Sequence, residues 1–169
     1  VTMRDTADIT CTFTLAEVII NQPEEITATI TPKAVSCYEG NDGELHIDLV
    51  LHGQAPYQYS IDGGLNWQNT PVFDQLIADD YTIMVQDALG CTAMMDPVTI
   101  SQPAPLAFTA KGTNETLAGA NDGTISISDQ QGGTGSYDYS LNGIDWQPSA
   151  LFTGLAPNTY TVWMRDANN

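Results

Sequence analysis

One segment decides the fold: Tyr57-Gln-Tyr-Ser-Ile-Asp-Gly63-Gly-Leu-Asn-Trp67-Gln, which recurs as Tyr137-Asp-Tyr-Ser-Leu-Asn-Gly143-Ile-Asp-Trp146-Gln. The turn Asn41-Asp-Gly43 returns in the same register as Asn121-Asp-Gly123. A period of about 80 residues indicates an array of like modules. Arrays of this kind usually supply reach and surface rather than chemistry.

The repeat predicts how the chain is divided. Residues 1–23 correspond to the C-terminal strands of a preceding module. Residues 24–103, the first module, form a complete β-sandwich repeat, and residues 104–169, the second module, form a repeat that lacks its last strand. Because Val1–Asp5 and Val162–Asp166 occupy the same position in successive modules, we expect a piece of a longer polypeptide or one unit of a polymer. The repeat also predicts a cysteine soon after the last residue.

Short runs with period-two alternation follow one another along the chain, and no amphipathic helical pattern is visible. The runs of the first module are Ile26–Ile30, Leu45–Leu51, Tyr57–Ile61, Tyr81–Val85 and Val98–Ile100. Asn/Asp-Gly turns separate them, as in hairpins. This pattern predicts an all-β protein made of tandem immunoglobulin-like antiparallel β-sandwich modules of about 80 residues.

The tryptophans at equivalent positions, Trp67 and Trp146, are predicted to pack in the module cores or to cap one end, together with Phe73 and Phe152. The other interpretation is a platform on which a ligand stacks. The shared Trp-Gln frame of both modules favours the core.

The charge balance excludes some partners. Four basic residues face 21 acidic ones, which gives a formal net charge of −17 in 169 residues. This charge repels phosphate backbones and anionic lipid headgroups, so we expect no nucleic-acid partner. No apolar stretch reaches the length of a membrane-spanning helix, so no membrane insertion is expected in this part of the chain.

The three cysteines suggest a disulfide framework. Cys37 and Cys91 lie near the two ends of the first module, the pattern of a bridge that joins first and last strands. Cys11 is the repeat equivalent of Cys91, so its partner is expected upstream of the chain. The alternatives are free buried thiols, or a metal site, which would need more closely spaced ligands. A bridge would indicate an oxidising, extracytoplasmic setting.

No catalytic arrangement stands out. His46 and His52 have no counterparts in the second module, which argues against a Ser-His-Asp site, so we expect no enzyme activity and no cofactor. Calcium is the one ligand to weigh, because Asp42 and Asp122 supply carboxylates in equivalent turns. Plain hairpin turns are the alternative, since neither turn carries further spaced carboxylates.

The first module also follows one frame of residues: Cys37, Asn41-Asp-Gly43, Gly53, Pro56-Tyr57, Tyr59-Ser60, Gly63-Gly64, Trp67, Phe73, Leu76, Tyr81-Thr82, Asp87, Gly90-Cys91, Ile100 and Gln102-Pro103. This frame resembles the SprB-type repeats that cell-surface adhesins and filaments of Bacteroidetes carry in tandem. The resemblance implies export, often through the type IX system, and a role in attachment or gliding. It supplies no catalytic residues. The second module departs from the frame at Leu117, which replaces the cysteine.

Two glycosylation motifs would fit such a surface protein. Thr6 lies in a motif that resembles the Asp-Ser/Thr-aliphatic O-glycosylation signal of Bacteroidetes, and Asn114 begins an Asn-x-Thr acceptor. We therefore expect an extracellular or cell-surface stalk, adhesin or self-assembling filament, whose partners are neighbouring modules, copies of itself or surface glycans. The alternative is a carbohydrate-binding accessory module of a secreted enzyme.

Overall fold

The computed structural model describes residues 2–4, 12–14, 17 and 19–168, and for residues 2–4 and 12–14 only the backbone. These residues form strands, turns and loops without a helix, and all pairs of named strands are antiparallel. The predicted fold class, tandem antiparallel β-sandwich modules, is confirmed. The described residues also contain no helix that is long and apolar enough to cross a membrane.

Fifteen strands are numbered in chain order. The N-terminal strands are β1 (Thr2–Arg4) and β2 (Thr12–Thr14). The first module contains β3 (Thr27–Lys33), β4 (Gly43–Leu51), β5 (Gln58–Ser60), β6 (Val72–Leu76), β7 (Asp80–Tyr81), β8 (Met84–Gln86), β9 (Thr92–Met94) and β10 (Val98–Thr99). The second module contains β11 (Ala107–Thr113), β12 (Gly123–Gln131), β13 (Asp138–Ser140), β14 (Leu151–Leu155) and β15 (Trp163–Arg165).

The first module has two principal sheets, ordered β3-β4-β6 and β5-β8-β9, and a short β10-β7 pair. In the larger sheet, Thr27 pairs with Leu51 at one end of β3 and Lys33 pairs with Glu44 at the other. The Thr27 end, where the chain enters the module, is called the N-terminal end. The Lys33 end, where the chain leaves, is called the C-terminal end.

The core of the first module lies between these sheets. Leu45 and Ile47 come from β4, Ile83 precedes β8 and Val85 lies within it, while Ile100 follows β10. Leu45, Ile83 and Val85 are completely buried. Alternation places Leu45 and Ile47 inward in the first half of β4, as the period-two pattern predicts. The pairing with β3 shifts register after Ile47, and Leu49 and Leu51, which continue the alternation in the sequence, are exposed.

The second module repeats this arrangement with the sheets β11-β12-β14 and β13-β15. Its core is less covered: Ile125 and Val162, the equivalents of Leu45 and Ile83, are only half-buried. Among the described residues of this module, none occupies the place that Ile100 takes in the first. The inner faces of β12 and β14 are therefore left partly open.

The tryptophans close turns rather than fill the core. Trp67 and Trp146 are half-buried, and Trp67 lies outside the buried clusters of its module. The Trp67 indole N–H donates to the Gly64 carbonyl oxygen at 2.9 Å. The Trp146 ring lies under the Arg165 guanidinium, 4.5 Å from its central carbon, a cation–π contact. The capping interpretation therefore fits better than the core one.

Candidate functional site at the junction between modules

The linker between the modules is packed against the second one. The Gly133 backbone N–H donates to the Ala104 carbonyl oxygen at 2.9 Å. At Gly132 the linker comes so close that an added Cβ would lie 2.0 Å from the Pro105 carbonyl oxygen. Gly132 also has a φ of 78°, which favours glycine. The sequence therefore fixes how the chain enters the second module.

A buried aspartate organises the N-terminal end of the second module. Asp166 is 7% exposed, and its carboxylate accepts hydrogen bonds from the backbone N–H of Thr134 at 2.7 Å and of Asn168 at 3.1 Å. Burial of a carboxylate costs free energy unless hydrogen bonds satisfy it, as they do here. The turn that contains Asn168 is thus held in a defined position.

That turn contacts the first module directly. The Asn168 side-chain amide donates to the Ser36 carbonyl oxygen at 2.9 Å, across 132 positions of sequence. Ser36 belongs to the turn that follows β3, at the C-terminal end of the first module. The Asp42 carboxylate accepts from the Ser36 backbone N–H at 2.9 Å and so fixes this turn. Sequence reasoning missed this contact, although the recurrence of both turns in each module could have signalled it.

The same aspartate turn exists at the N-terminal end of the first module. Asp87 is 7% exposed and accepts from the backbone N–H groups of Gln54, Leu89 and Cys91 at 3.1, 2.9 and 2.9 Å. Burial alone would raise the pKa of Asp87, but these donors hold it below its ordinary value. Leu89, the equivalent of Asn168, is 73% exposed. Each module therefore presents one preformed turn at each end.

The cysteines lie on these turns, and the predicted bridge between Cys37 and Cys91 is absent. Both residues are free thiols, Cys37 half-buried and Cys91 exposed. Cys37 follows Ser36 at the C-terminal end, where the backbone N–H of Val35 donates to Ser101. Cys91 lies at the N-terminal end, in the turn whose Ala88 N–H donates to the Gln54 carbonyl oxygen.

The separation of the ends gives the physical reason for this correction. The seven residues of β3 run from one end to the other. At about 3.3 Å per residue they span roughly 20 Å. A disulfide needs Cα atoms less than about 7 Å apart. A staple between first and last strands therefore does not fit this module.

A groove marks the open side of the second module. It has a volume of about 460 Å³ and its walls include Thr113, Gly123, Ile125, Leu155 and Val162. In the first module the equivalent position is filled, because the Cγ2 atom of Ile100 lies 2.9 Å from where a Cβ on Gly43 would stand. The groove thus lies at the position where Ile100 packs in the first module.

The two aspartates proposed for calcium hold turns. Asp42 binds Ser36 as described, and Asp122 accepts from the backbone N–H and the hydroxyl of Thr116 at 2.8 and 2.6 Å. Hydrogen bonds from Ser36 and Thr116 lower the pKa of Asp42 and Asp122, respectively. Among the described residues no group of three or more His, Cys, Asp or Glu side chains could hold a metal ion. Calcium binding stays a prediction.

Of the other predicted sites, one lies among the described residues and two lie outside them. Asn114 is exposed beside the groove, so its side chain is accessible, and its glycosylation stays a prediction. Thr6 and Cys11 lie outside the described residues. The histidines are on the surface in carboxylate pairs, His46 with Glu44 at 3.0 Å and His52 with Glu24 at 2.5 Å.

The comparison with protein families agrees with this architecture. The model of the SprB repeat matches the chain twice, over residues 27–66 and 111–145. The predicted resemblance to the SprB-type repeats is therefore confirmed in both modules. SprB repeats belong to cell-surface proteins of Bacteroidetes, and they are a structural repeat family rather than an enzyme family. The comparison with curated proteins found no match.

Proposed function

We propose that this chain is a structural and adhesive repeat segment of an exported bacterial surface protein, which acts as a stalk or a self-assembling extracellular filament. The observation that carries the proposal is the direct contact between modules, in which Asn168 binds the Ser36 carbonyl oxygen at 2.9 Å. Repeat proteins of this kind are held together mainly by contacts between nearest neighbours.

Force would pass along such a rod through two routes at each junction. One is the covalent linker, whose Ala104 carbonyl accepts from Gly133 and whose Pro105 packs against Gly132. The other is the contact between the Asn168 and Ser36 turns, each fixed by an aspartate. Two attachments restrain a junction more than the linker alone, so neighbouring modules are expected to keep a defined angle.

The net charge of the chain supports the proposal that the modules are exposed to solvent outside the cell. A formal net charge of −17 keeps the modules soluble and resists unspecific association. The groove of the second module is a candidate surface for self-assembly. A strand added there would pair with an existing sheet edge, as in donor-strand complementation.

Electron microscopy of the native, full-length protein, with intact-mass analysis of the same sample, tests the proposal. Long fibres with an axial repeat of one or two modules are expected for the filament, and thin rods that carry another domain at the tip for the stalk. Added mass would reveal glycans. Compact particles without rod-like segments would contradict both forms.

A carbohydrate-binding accessory module is the second candidate, supported by one exposed aromatic side chain. Trp163 is 51% exposed, and Gly143 leaves space against its ring. Aromatic faces of this kind can stack on sugar rings. The first module has Met84 at the equivalent position, beside Gly64, so the feature is not repeated. Binding on a glycan array that is lost in Trp163→Ala would support it.

A further inference from the structure

The sheet formed by β13 and β15 carries aromatic and charged side chains on the face that points away from the core, called the outer face. Tyr139 lies opposite Met164 in this sheet and is buried in the core. Because side chains alternate between the two faces of a strand, Trp163 and Arg165 lie together on the outer face. Asp138 pairs with Arg165 across the two strands. The outer face therefore combines a large aromatic ring with a pair of opposite charges.

The Trp163 ring is exposed and at the same time supported by a turn. Trp163 is 51% exposed. A Cβ atom added at Gly143 would lie 3.8, 3.9 and 4.0 Å from the Cε2, Nε1 and Cδ2 atoms of its ring, which is ordinary van der Waals contact. The turn is itself fixed, since the Gly143 backbone N–H donates to the Ser140 hydroxyl oxygen at 2.9 Å. A ring that is held in place before binding loses little freedom when a ligand stacks on it.

The charged pair lies beside this ring. The Nε and Nη2 atoms of Arg165 donate to the Asp138 Oδ2 atom at 3.3 and 3.1 Å, and both side chains are partly exposed. The contact with the Trp146 ring also holds the guanidinium in place. Arg165 lies two residues after Trp163, about 7 Å along an extended strand, which is close to the width of a hexopyranose with its hydroxyl groups. The guanidinium can donate to such hydroxyl groups and the carboxylate can accept from them.

We infer that this outer face is a saccharide-binding site, in which a neutral hexopyranose stacks its C–H face on Trp163 and its hydroxyl groups bind Arg165 and Asp138. The inference deepens the adhesive role in the proposed function, on which it rests, because it names the class of ligand and the residues that bind it. The charge of the chain selects neutral sugars. Arg165 is already paired with Asp138, and a formal net charge of −17 repels sugars that carry carboxylate or sulfate groups.

The first module has the same sheet without the site. Met84, Gln58 and Gln86 stand where the second module has Trp163, Asp138 and Arg165. The corresponding face of the first module is nevertheless open: a third strand, β9, pairs with β8, and its Met94 beside Met84 is exposed. A third strand in this sheet therefore does not cover the outer face. The first module also supplies residues that are compatible with the fold and lack the binding groups.

The test uses heteronuclear NMR, in which the indole N–H groups of the three tryptophans give separate signals. The isotope-labelled 169-residue chain is titrated with methyl β-D-glucopyranoside and methyl β-D-galactopyranoside, and with their uronic acid forms as acidic probes. We expect at least one neutral glycoside to shift the Trp163 signal and to leave the Trp67 signal unchanged. Its uronic acid form should bind at least about tenfold more weakly, because the chain repels its carboxylate.

Variants separate the roles of the ring and of the charged pair, with saturation transfer to the glycoside protons as the readout. Trp163→Met should abolish binding. Asp138→Gln combined with Arg165→Gln should weaken it about tenfold, because charge-assisted hydrogen bonds are lost. The matched control, Met84→Ala in the first module, should bind like the unaltered chain. Melting temperatures of the second module verify that the variants are folded.

Three results would overturn the inference. They are an unchanged Trp163 signal with both neutral glycosides, acidic glycosides that bind as tightly as the neutral ones, and full binding by folded Trp163→Met.

The outcome can be distinguished from that of the proposed function. Rods or fibres in the microscope that bind no neutral glycoside would retain the stalk or filament and reject only the saccharide site. Glycoside binding by a protein without rod-like segments would reject the stalk or filament and retain the saccharide site.

Discussion

The Cγ2 methyl group of Ile100 lies 2.9 Å from the point where a Cβ atom on Gly43 would stand. Gly43 begins β4, and the Leu76 carbonyl oxygen lies 2.8 Å from the same point. The last strand of the first module can therefore cover the core only because residue 43 has no side chain. The Asn-Asp-Gly motif thus serves packing as well as the turn.

Gly43→Ala is therefore expected to destabilise the first module by about 1–3 kcal/mol, because overpacking forces backbone or side chains to move. Thermal unfolding, assigned to modules by hydrogen exchange, measures the effect. Gly112→Ala in β11 is the matched control, since the nearest atom to its Cβ is the Thr124 carbonyl oxygen at 3.8 Å. Equal shifts in the two variants would show that packing against Ile100 is not the cause.

The ionised carboxylate of Asp62 stabilises the first module, so part of the stability of this module depends on pH. The pKa of its carboxyl is lowered to about 2 by the Asn66 backbone N–H, then by the Asn66 side chain and the Ser60 hydroxyl. The ordinary value of an aspartate is about 3.9. A lowered pKa in the folded state means that this stability is present above pH 4 and is lost as the pH falls towards 2.

The second module makes the same turn with a residue that does not titrate, so this turn adds no pH dependence to its stability. Asn142 replaces the aspartate, and its side-chain oxygen accepts from the backbone N–H of Ile144 and Asp145, both at 2.9 Å. Asp62→Asn should therefore fold and flatten the stability of the first module between pH 4 and pH 2. Melting temperatures across this range check it. The reciprocal variant, Asn142→Asp with Asp145→Asn, should add the dependence to the second module; an unchanged slope in both variants would reject the assignment.

Gly132 tests the rigidity of the junction. Gly132→Ala combines an unfavourable φ with a clash at the Pro105 carbonyl oxygen. The matched control is Gly119→Ala, which has a φ of 83° but no atom within 4 Å of its Cβ. The control should cost about 1–2 kcal/mol, as for other left-handed residues. Gly132→Ala should cost more, and small-angle scattering should show a broader distribution of angles between modules. A scattering curve identical to that of the control would contradict the expected role of the linker.

The sequence predicted the fold well because alternation and turns are local signals. The predicted run Leu45–Leu51 lies within β4, although the register shift after Ile47 leaves Leu49 and Leu51 exposed. The pairing of Cys37 and Cys91 could not be predicted in the same way. The end of the module at which a residue lies depends on the number of strands that precede it, because each strand reverses the direction of the chain. Two-residue strands such as β7 are too short to be recognised in the sequence, so this number cannot be obtained from it.

The junction was missed for a related reason. Asn168 and Ser36 contact each other across modules, and neither residue carries a motif of its own. The two residues are in contact because their turns lie at facing ends of neighbouring modules. Only the strand topology shows at which end each turn lies.

The groove of the second module should accept the last strand of this repeat as a separate peptide. In the first module that strand pairs Val98 with Tyr81, and the Ile100 N–H donates to the Asp79 carbonyl oxygen at 2.9 Å. A synthetic peptide with the sequence of residues 92–103 is therefore expected to bind where Ile125 and Leu155 line the groove. Strand addition would supply both the missing backbone hydrogen bonds and the missing apolar cover.

Binding should raise the melting temperature of the second module and leave that of the first unchanged. At a peptide concentration one hundred times Kd the stabilisation is about 2.7 kcal/mol. The control peptide carries Val98→Asp and Ile100→Asp, which would place carboxylates against the apolar wall and should not bind. Equal effects of both peptides, or a shift confined to the first module, would show that the groove does not select this strand. Selective binding would establish that the groove recognises the last strand of this repeat.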